Sequence, residues 1–166
     1  MTTSSVEPEP IDVPAEVVVK AVTRHSYATL ATVSPAGRPH AAGVGYSAVG
    51  TTLYVSTDRS SRKARNIAAN PHVGLSIPVR RMPFGPPSTV QFQATAELLE
   101  PDDRDVVALA ASGDLKTVTS HGELERADSC VVRITPGAVV HTYGVGMSLL
   151  QFVRDPLNAA GRTRLG

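Results

Sequence analysis

From Tyr27 onward the chain is written mainly in period two. Tyr27–Val33, rich in Thr and Val, reads as a strand, Ser34-Pro35-Ala36-Gly37 supplies the residues of a tight turn, and residues 38–47 read as the returning strand. Gly50 closes a second turn before a strand over residues 52–56. Val73, Leu75, Ile77 and Val79 alternate with Gly74, Ser76 and Pro78. Val90, Phe92, Ala94 and Ala96 alternate in the same way with Thr89, Gln91, Gln93 and Thr95. Each set predicts a strand with one buried face. Residues 130–135 and 138–143, divided by Pro136-Gly137, read as two further strands.

The period lengthens to that of a helix in three places. Pro14 opens a first turn leading to about residue 24, with Val18, Val22 and His25 on one side. Residues 61–70 lie between an N-capping serine and Asn70-Pro71, and residues 102–111 start on Asp102 and Asp103, with Val106, Val107, Leu109 and Ala110 to bury. The prediction is a mainly β fold with short helices, in which six to seven mostly antiparallel strands close into a small barrel and so avoid open edges. Residues 1–14, polar and proline-broken, are set aside as an arm. Residues 15–147 form the folded domain and residues 148–166 a C-terminal tail.

Composition narrows the class. A length of 166 residues fits one domain with a real core. Sixteen basic against fifteen acidic residues leave a formal charge of +1, too little to draw the protein onto nucleic acid or anionic lipid. The lone Cys130 makes neither an internal disulfide nor a cysteine-rich metal site, and the five scattered histidines form no metal motif. No apolar run approaches the roughly 20 residues of a membrane span, and the acidic N-terminal stretch is not a signal peptide. A cytoplasmic location is expected.

The chemistry concentrates after the strand over residues 52–56. Arg62 and Lys63 occupy the first turn of the second helix, with Arg59 just before it. Helix N-termini carry partial positive charge and disfavour cations by about 0.3–1 kcal/mol each. A bound anion removes that conflict, with free N–H groups, the hydroxyls of Thr57, Ser60 and Ser61, and the two cations converging on one phosphate. A solvated basic turn is the plain alternative. A nucleic-acid-contacting helix is a third, which the absence of a basic stripe disfavours.

The string Ser61-Arg62-Lys63-Ala64-Arg65-Asn66, followed by Asn70-Pro71-His72-Val73-Gly74-Leu75, resembles the FMN-binding split-barrel superfamily, the pyridoxamine 5′-phosphate oxidase-like proteins. Residues 27–33 with Gly37-Arg38-Pro39-His40 are similar to that family's opening hairpin, and residues 90–99 to a later barrel strand. The resemblance implies a split β-barrel that binds FMN or the deazaflavin coenzyme F-420, as a homodimer with cofactor sites at the interface. Thr57, Ser61, Arg62 and Lys63 match the phosphate-holding positions, and Asn66 closes the same string. Gly43, Val44 and Gly45 fall on the strand whose backbone follows the flavin ring. Gln91 matches a contact to the ring or ribityl chain, and His141 and Tyr143 of a second protomer complete the site. The chain has no tryptophan, and its ending does not match the segment that receives the vitamin in true pyridoxamine phosphate oxidases. The likeness is closer to the smaller actinobacterial flavin and deazaflavin oxidoreductases.

The implied reaction is hydride transfer between the bound cofactor and a small organic substrate, with no catalytic side chain and no metal. Nothing here matches a serine-hydrolase elbow or a zinc-protease helix. The proline-rich stretch with Arg80, Arg81, Met82 and Phe84 either borders the substrate mouth or is a surface crossover. The competing class is a split barrel that binds a flavin or haem without turning it over, as a carrier or sensor.

Overall fold

The computed structural model describes residues 9–80 and 88–165. Among them nine strands and five α-helices build one sheet that folds round on itself. Helix α1 (Ala15–Arg24) precedes the hairpin of β2 (Tyr27–Val33) and β3 (Pro39–Gly45), whose turn places Gly37 at φ 73°. β4 (Ser47–Val49) and β5 (Thr52–Asp58) form the next hairpin, helix α2 (Arg62–Ala69) follows, and β6 (His72–Val79) pairs with β7 (Ser88–Leu99). Helices α3 (Arg104–Ser112) and α4 (Lys116–Thr119) lead to β8 (Ser129–Tyr143), then α5 (Leu149–Arg154) and β9 (Ala160–Arg164). The strand order runs β1-β9-β8-β7-β6-β2-β3, where β1 is the short strand Ile11–Asp12, and β5 lies against β8 with β4 on its far side. All pairings are antiparallel except β1 with β9.

The alternation read from the sequence puts Leu30, Leu53, Ile77, Val90 and Ile134 inside the barrel, each fully buried. Tyr46 joins β3 to β4 at the closure. Its amide donates to the Ser26 carbonyl at 2.8 Å and its buried hydroxyl to the Val22 carbonyl at 2.8 Å, tying the turn of the sheet to α1. A smaller apolar cluster, with Val106, Leu115, Val118 and Val131, holds α3 and α4 over β5 and β8.

Three expectations change. Pro136-Gly137 does not divide two strands. β8 is continuous, and its register with β7 shifts between Phe92 and Ala94, so that the residue without an N–H sits at a bulge rather than in a regular ladder. Residues 11–13 do not belong to a free arm: β1 pairs with β9, and Val13 is only 5 % exposed. Residues 148–166 are likewise more than a tail. A capping box on Ser148 starts α5, a 3-10 turn covers Pro156–Asn158, and β9 adds to β8.

These end strands meet at a tight spot. A Cβ on Gly161 would stand 2.5 Å from Thr142 Oγ1 and 2.8 Å from Val13 Cγ2. Gly161→Ala is expected to lower the unfolding free energy by about 1–3 kcal/mol through overpacking, measured by urea denaturation. An unchanged midpoint would make this end of the sheet peripheral to stability.

Candidate functional site

Helix α2 begins where the sequence places it. Ser61, extended at φ −65° and ψ 151°, accepts the Ala64 N–H on its Oγ at 3.2 Å, and the Thr57 hydroxyl donates to the same oxygen at 3.2 Å. No acidic residue stands in the first turn. Arg62, Lys63 and Arg65 have no ion pair among the described residues. The helix packs on β2 and β7 through Ala64 and Ile67.

Asn66, also buried, points toward the first hairpin. Its Nδ2–H donates to Thr32 Oγ1 at 2.9 Å, and the Thr32 hydroxyl donates in turn to the His40 carbonyl at 3.5 Å. Between α2 and the hairpin turn lies a cleft of about 630 Å³, lined by Ser34, Arg38, His40, Arg62, Arg65 and Asn66 together with Pro35 and Pro39. Its lining is basic, with no carboxylate. His40 Nδ1 is enclosed and has no hydrogen-bond partner. β3 runs away from this cleft as the last strand of its path, paired only with β2.

The sequence-predicted residues divide into groups. Thr57, Ser61, Arg62, Lys63 and Asn66 gather at the start of α2, with Arg62 and Asn66 in the cleft itself. Arg59 and Ser60, expected to join them, are committed elsewhere. Arg59 pairs with Glu100, while the Ser60 hydroxyl and amide donate to Asp128 Oδ2 at 2.6 and 3.2 Å. Those two bonds hold the Asp128 carboxyl below its usual range.

Gly43 and Gly45 lie farther along β3, and the Val44 side chain enters the core. The space beside Gly43 is taken by the phenol of Tyr27, whose hydroxyl lies where a Cβ would be. Tyr27 is nevertheless 55 % exposed. Gln91 is not at this cleft. The pairs Gly43–Thr29, Thr29–Ser76 and Ser76–Gln91 form one row across the sheet, so Gln91 stands three strands from Gly43, about 14 Å away at ordinary strand spacing. It donates to Thr89 Oγ1 at 2.9 Å and lines a second cleft, of about 520 Å³, with His141 and Tyr143 of its own chain.

Arg80 borders a groove beside α1 with Lys20 and Arg24, whereas Arg81, Met82 and Phe84 lie outside the described residues. Cys130 is buried, and burial pushes its thiol up, as suits a small packed side chain rather than a nucleophile. No group of three metal-ligating side chains occurs among the described residues. No helix among them is long and apolar enough to cross a membrane.

Sequence reasoning missed Arg38, His40 and Arg65 as companions of Arg62. The signal for Arg65 was present in its spacing of three from Arg62, which puts both on one helix face. Nothing local marks Arg38 and His40, which reach the cleft only when the hairpin folds against α2.

The family model described as pyridoxamine 5′-phosphate oxidase matches residues 15–143. No curated protein matches the chain in sequence. Among solved structures, the chain is similar to HutZ, the heme storage protein from Vibrio cholerae, with a TM-score of 0.68 and 21% identity over 82% of this chain and 98% of that one. It is similar to a FAD-binding protein from Mesorhizobium loti, with a TM-score of 0.62 and 20% identity over 77% and 90%. An F420 reductase gives a TM-score of 0.51 and 24% identity over 72% and 92%. Identities this low speak for the split-barrel fold.

Asn66→Ala is expected to lower the unfolding free energy by about 1–3 kcal/mol, because it leaves the buried Thr32 hydroxyl without its donor. Urea denaturation checks this, and an unchanged midpoint would make Asn66 a surface of the cleft and nothing more.

Proposed function

Because the chain belongs to the pyridoxamine 5′-phosphate oxidase family, we propose that it is an oxidoreductase that passes a hydride between a bound flavin or deazaflavin, FMN or coenzyme F-420, and a small organic substrate. The observation that carries this reading is the unpaired basic group at the start of α2, across a cleft from the beginning of β3. Its donor set suits a phosphate group: two cations, a hydroxyl relay from Thr57 to Ser61, and the N–H groups of a helix start.

When bound, the cofactor supplies the hydride chemistry, and the protein's part is to hold and orient it. Thr57, Ser61, Arg62 and Lys63 hold the phosphate. The backbone of Gly43–Gly45 offers polar groups along an edge that no further strand covers. Val44 anchors that backbone by its buried side chain. The Tyr27 ring over Gly43 sets how closely a planar group approaches the strand.

A single chain leaves Gln91, His141 and Tyr143 on a different cleft. The reading therefore includes a homodimer, in which those three residues of the second copy close the ring end and exclude water. The absence of tryptophan and the unmatched chain ending favour a substrate other than the pyridoxamine vitamin. Residence in the cytoplasm fits the single buried, unpaired cysteine.

A second reading is non-catalytic storage or sensing of a flavin or haem, favoured by the likeness to the heme storage protein. Reduction of the bound cofactor with turnover of an electron acceptor separates the two. An oxidoreductase cycles, whereas a carrier releases its ligand unchanged.

Titration of the apo protein followed by flavin fluorescence tests the phosphate assignment. FMN is expected to bind more tightly than riboflavin, and Lys63→Ala is expected to weaken FMN by about tenfold or more while leaving riboflavin nearly unaffected. Equal losses for both ligands would remove Lys63 from the phosphate site. Sedimentation equilibrium should give a dimer, and a monomer at the concentrations used for binding would overturn the shared site.

A further inference from the structure

A third cleft, of about 390 Å³, opens between the end of α1 and the turn that joins α3 to α4, with β4 beneath it. It shares no residue with the basic cleft or with the cleft of Gln91. At its floor is a hydroxyl with nothing to bond. Ser47 is 5 % exposed, and its Oγ has no hydrogen-bond partner among the described residues. Buried polar side chains in folded proteins nearly always have a partner, so an orphan marks a place where something else is accommodated. Ser47 stands opposite Tyr54 in the β4–β5 ladder, and Tyr54 packs with Leu115 and Val118. Opposite residues on paired strands share a face, so Ser47 lies on the side of the sheet that α3 and α4 cover.

Both walls are held in place by their own bonds. In the first, the end of α1 is capped without help from Arg24: His25 Nδ1–H donates to the Ala21 carbonyl at 2.8 Å, the Tyr46 hydroxyl to that of Val22 at 2.8 Å and the Thr23 hydroxyl to that of Val19 at 2.9 Å. In the second, Gly113 at φ 84° closes α3, its amide on the Ala110 carbonyl at 3.1 Å and the Asp114 amide on that of Leu109 at 3.0 Å. Fully buried Leu115 then anchors the turn to the sheet. Arg24 stands on the first wall and Lys116 on the second, and neither has an ion pair among the described residues. Ser26 and Thr117 add a hydroxyl on each side. The one carboxylate of the lining, Asp114, already accepts the Ser112 hydroxyl on Oδ2 at 2.6 Å, and it offsets one of the two cations at most.

We propose that this third cleft binds a phosphate group, free or carried by a small metabolite, between Arg24 and Lys116, with the Ser47 hydroxyl as a donor from the floor. A phosphate has oxygens enough to serve a guanidinium, an ammonium and several hydroxyls at once, where a carboxylate has two. The volume exceeds that of the bare ion and falls in the range of small-molecule sites. The position gives the ligand a structural consequence. α1 packs into the barrel through Val18 and Val22, whereas α3 and α4 rest on the separate cluster of Val106, Leu115 and Val118. A phosphate held by Arg24 and Lys116 ties one to the other, as an effector would. The inference stands apart from the oxidoreductase reading and does not depend on it.

The experiment is a titration of the full chain with inorganic phosphate, followed residue by residue in proton–nitrogen correlation spectra, with sodium chloride at matched ionic strength as the control. Saturable shifts are expected at the amides of Arg24, His25, Ser26, Ser47, Lys116 and Thr117, with a midpoint at or below about 1 mM and no counterpart in chloride. In Arg24→Gln/Lys116→Gln that midpoint is expected to rise about tenfold or more, while any response at Ser61–Lys63 keeps its wild-type midpoint. Ser47→Ala is expected to weaken phosphate about threefold or more without lowering the urea midpoint of the phosphate-free chain, because the hydroxyl it removes has no partner there. Shifts confined to Ser61–Lys63 overturn the third cleft and leave the α2 assignment standing. No saturable shift at the cleft, the same shifts in chloride, or full-strength binding in the double variant or in Ser47→Ala each overturns it as well. The wild-type titration decides the question even where a variant does not fold.

Discussion

One buried hydrogen bond sets the geometry on which the basic cleft depends. The Asn66 amide, 4 % exposed, donates to the hydroxyl of Thr32, 1 % exposed, and Thr32 passes the link to the backbone of His40. A buried amide pays several kcal/mol in lost hydration if unpaired, about 1–3 kcal/mol on protein-based scales, so α2 has little freedom to slide along the hairpin. Three elements from separate parts of the chain are thereby locked at one spacing. The cleft is the gap that spacing leaves, and Arg38, Arg62 and Arg65 line it.

The distribution of acid completes the picture. None of the carboxylates nearby in the fold lines the cleft, and each has a partner of its own: Glu100 pairs with Arg59, Asp58 with Arg126, Asp128 accepts from Ser60, and Glu97 and Asp105 pair with Arg133. The arginines of the cleft, by contrast, have no ion pair among the described residues. The pairs themselves are exposed and contribute little to stability. Their effect is on electrostatics, since every acid engaged there is unavailable to screen the cleft.

How much of this was legible depended on the range of the interaction. Alternation along Val73–Val79 and Val90–Ala96 identified β6 and β7 because side chains on a half-buried strand follow the local period. Arg62 and Lys63 stood out because their conflict with the helix start is also local. β1 and β9 were hidden: a two-residue strand has no period to detect, and Arg162 and Arg164 read as polar tail until Gly161 and Thr163 are seen packed beneath them. β8 was cut in two by Pro136-Gly137, a pair that makes a turn in isolation but a bulge when β7 lies alongside. Arg59 and Ser60 looked like phosphate ligands because their true partners, Glu100 and Asp128, are 41 and 68 residues away. Gln91 was correctly placed on the polar face of its strand, yet only the sheet order shows that two strands, β2 and β6, separate it from Gly43.

The Tyr27 ring laid over Gly43 gives the molecule a built-in optical reporter. With no tryptophan in the chain, its ultraviolet emission comes from four tyrosines, of which Tyr46 and Tyr54 are buried and Tyr143 sits against the Phe152 ring with its hydroxyl on the Pro156 carbonyl. Tyr27 is the most exposed of them, and it borders the strand edge. Anything planar that settles along β3 must either stack on that phenol or displace it, and both events change its emission. Occupancy of the edge can therefore be followed in the unlabelled protein, including for ligands that have no fluorescence of their own.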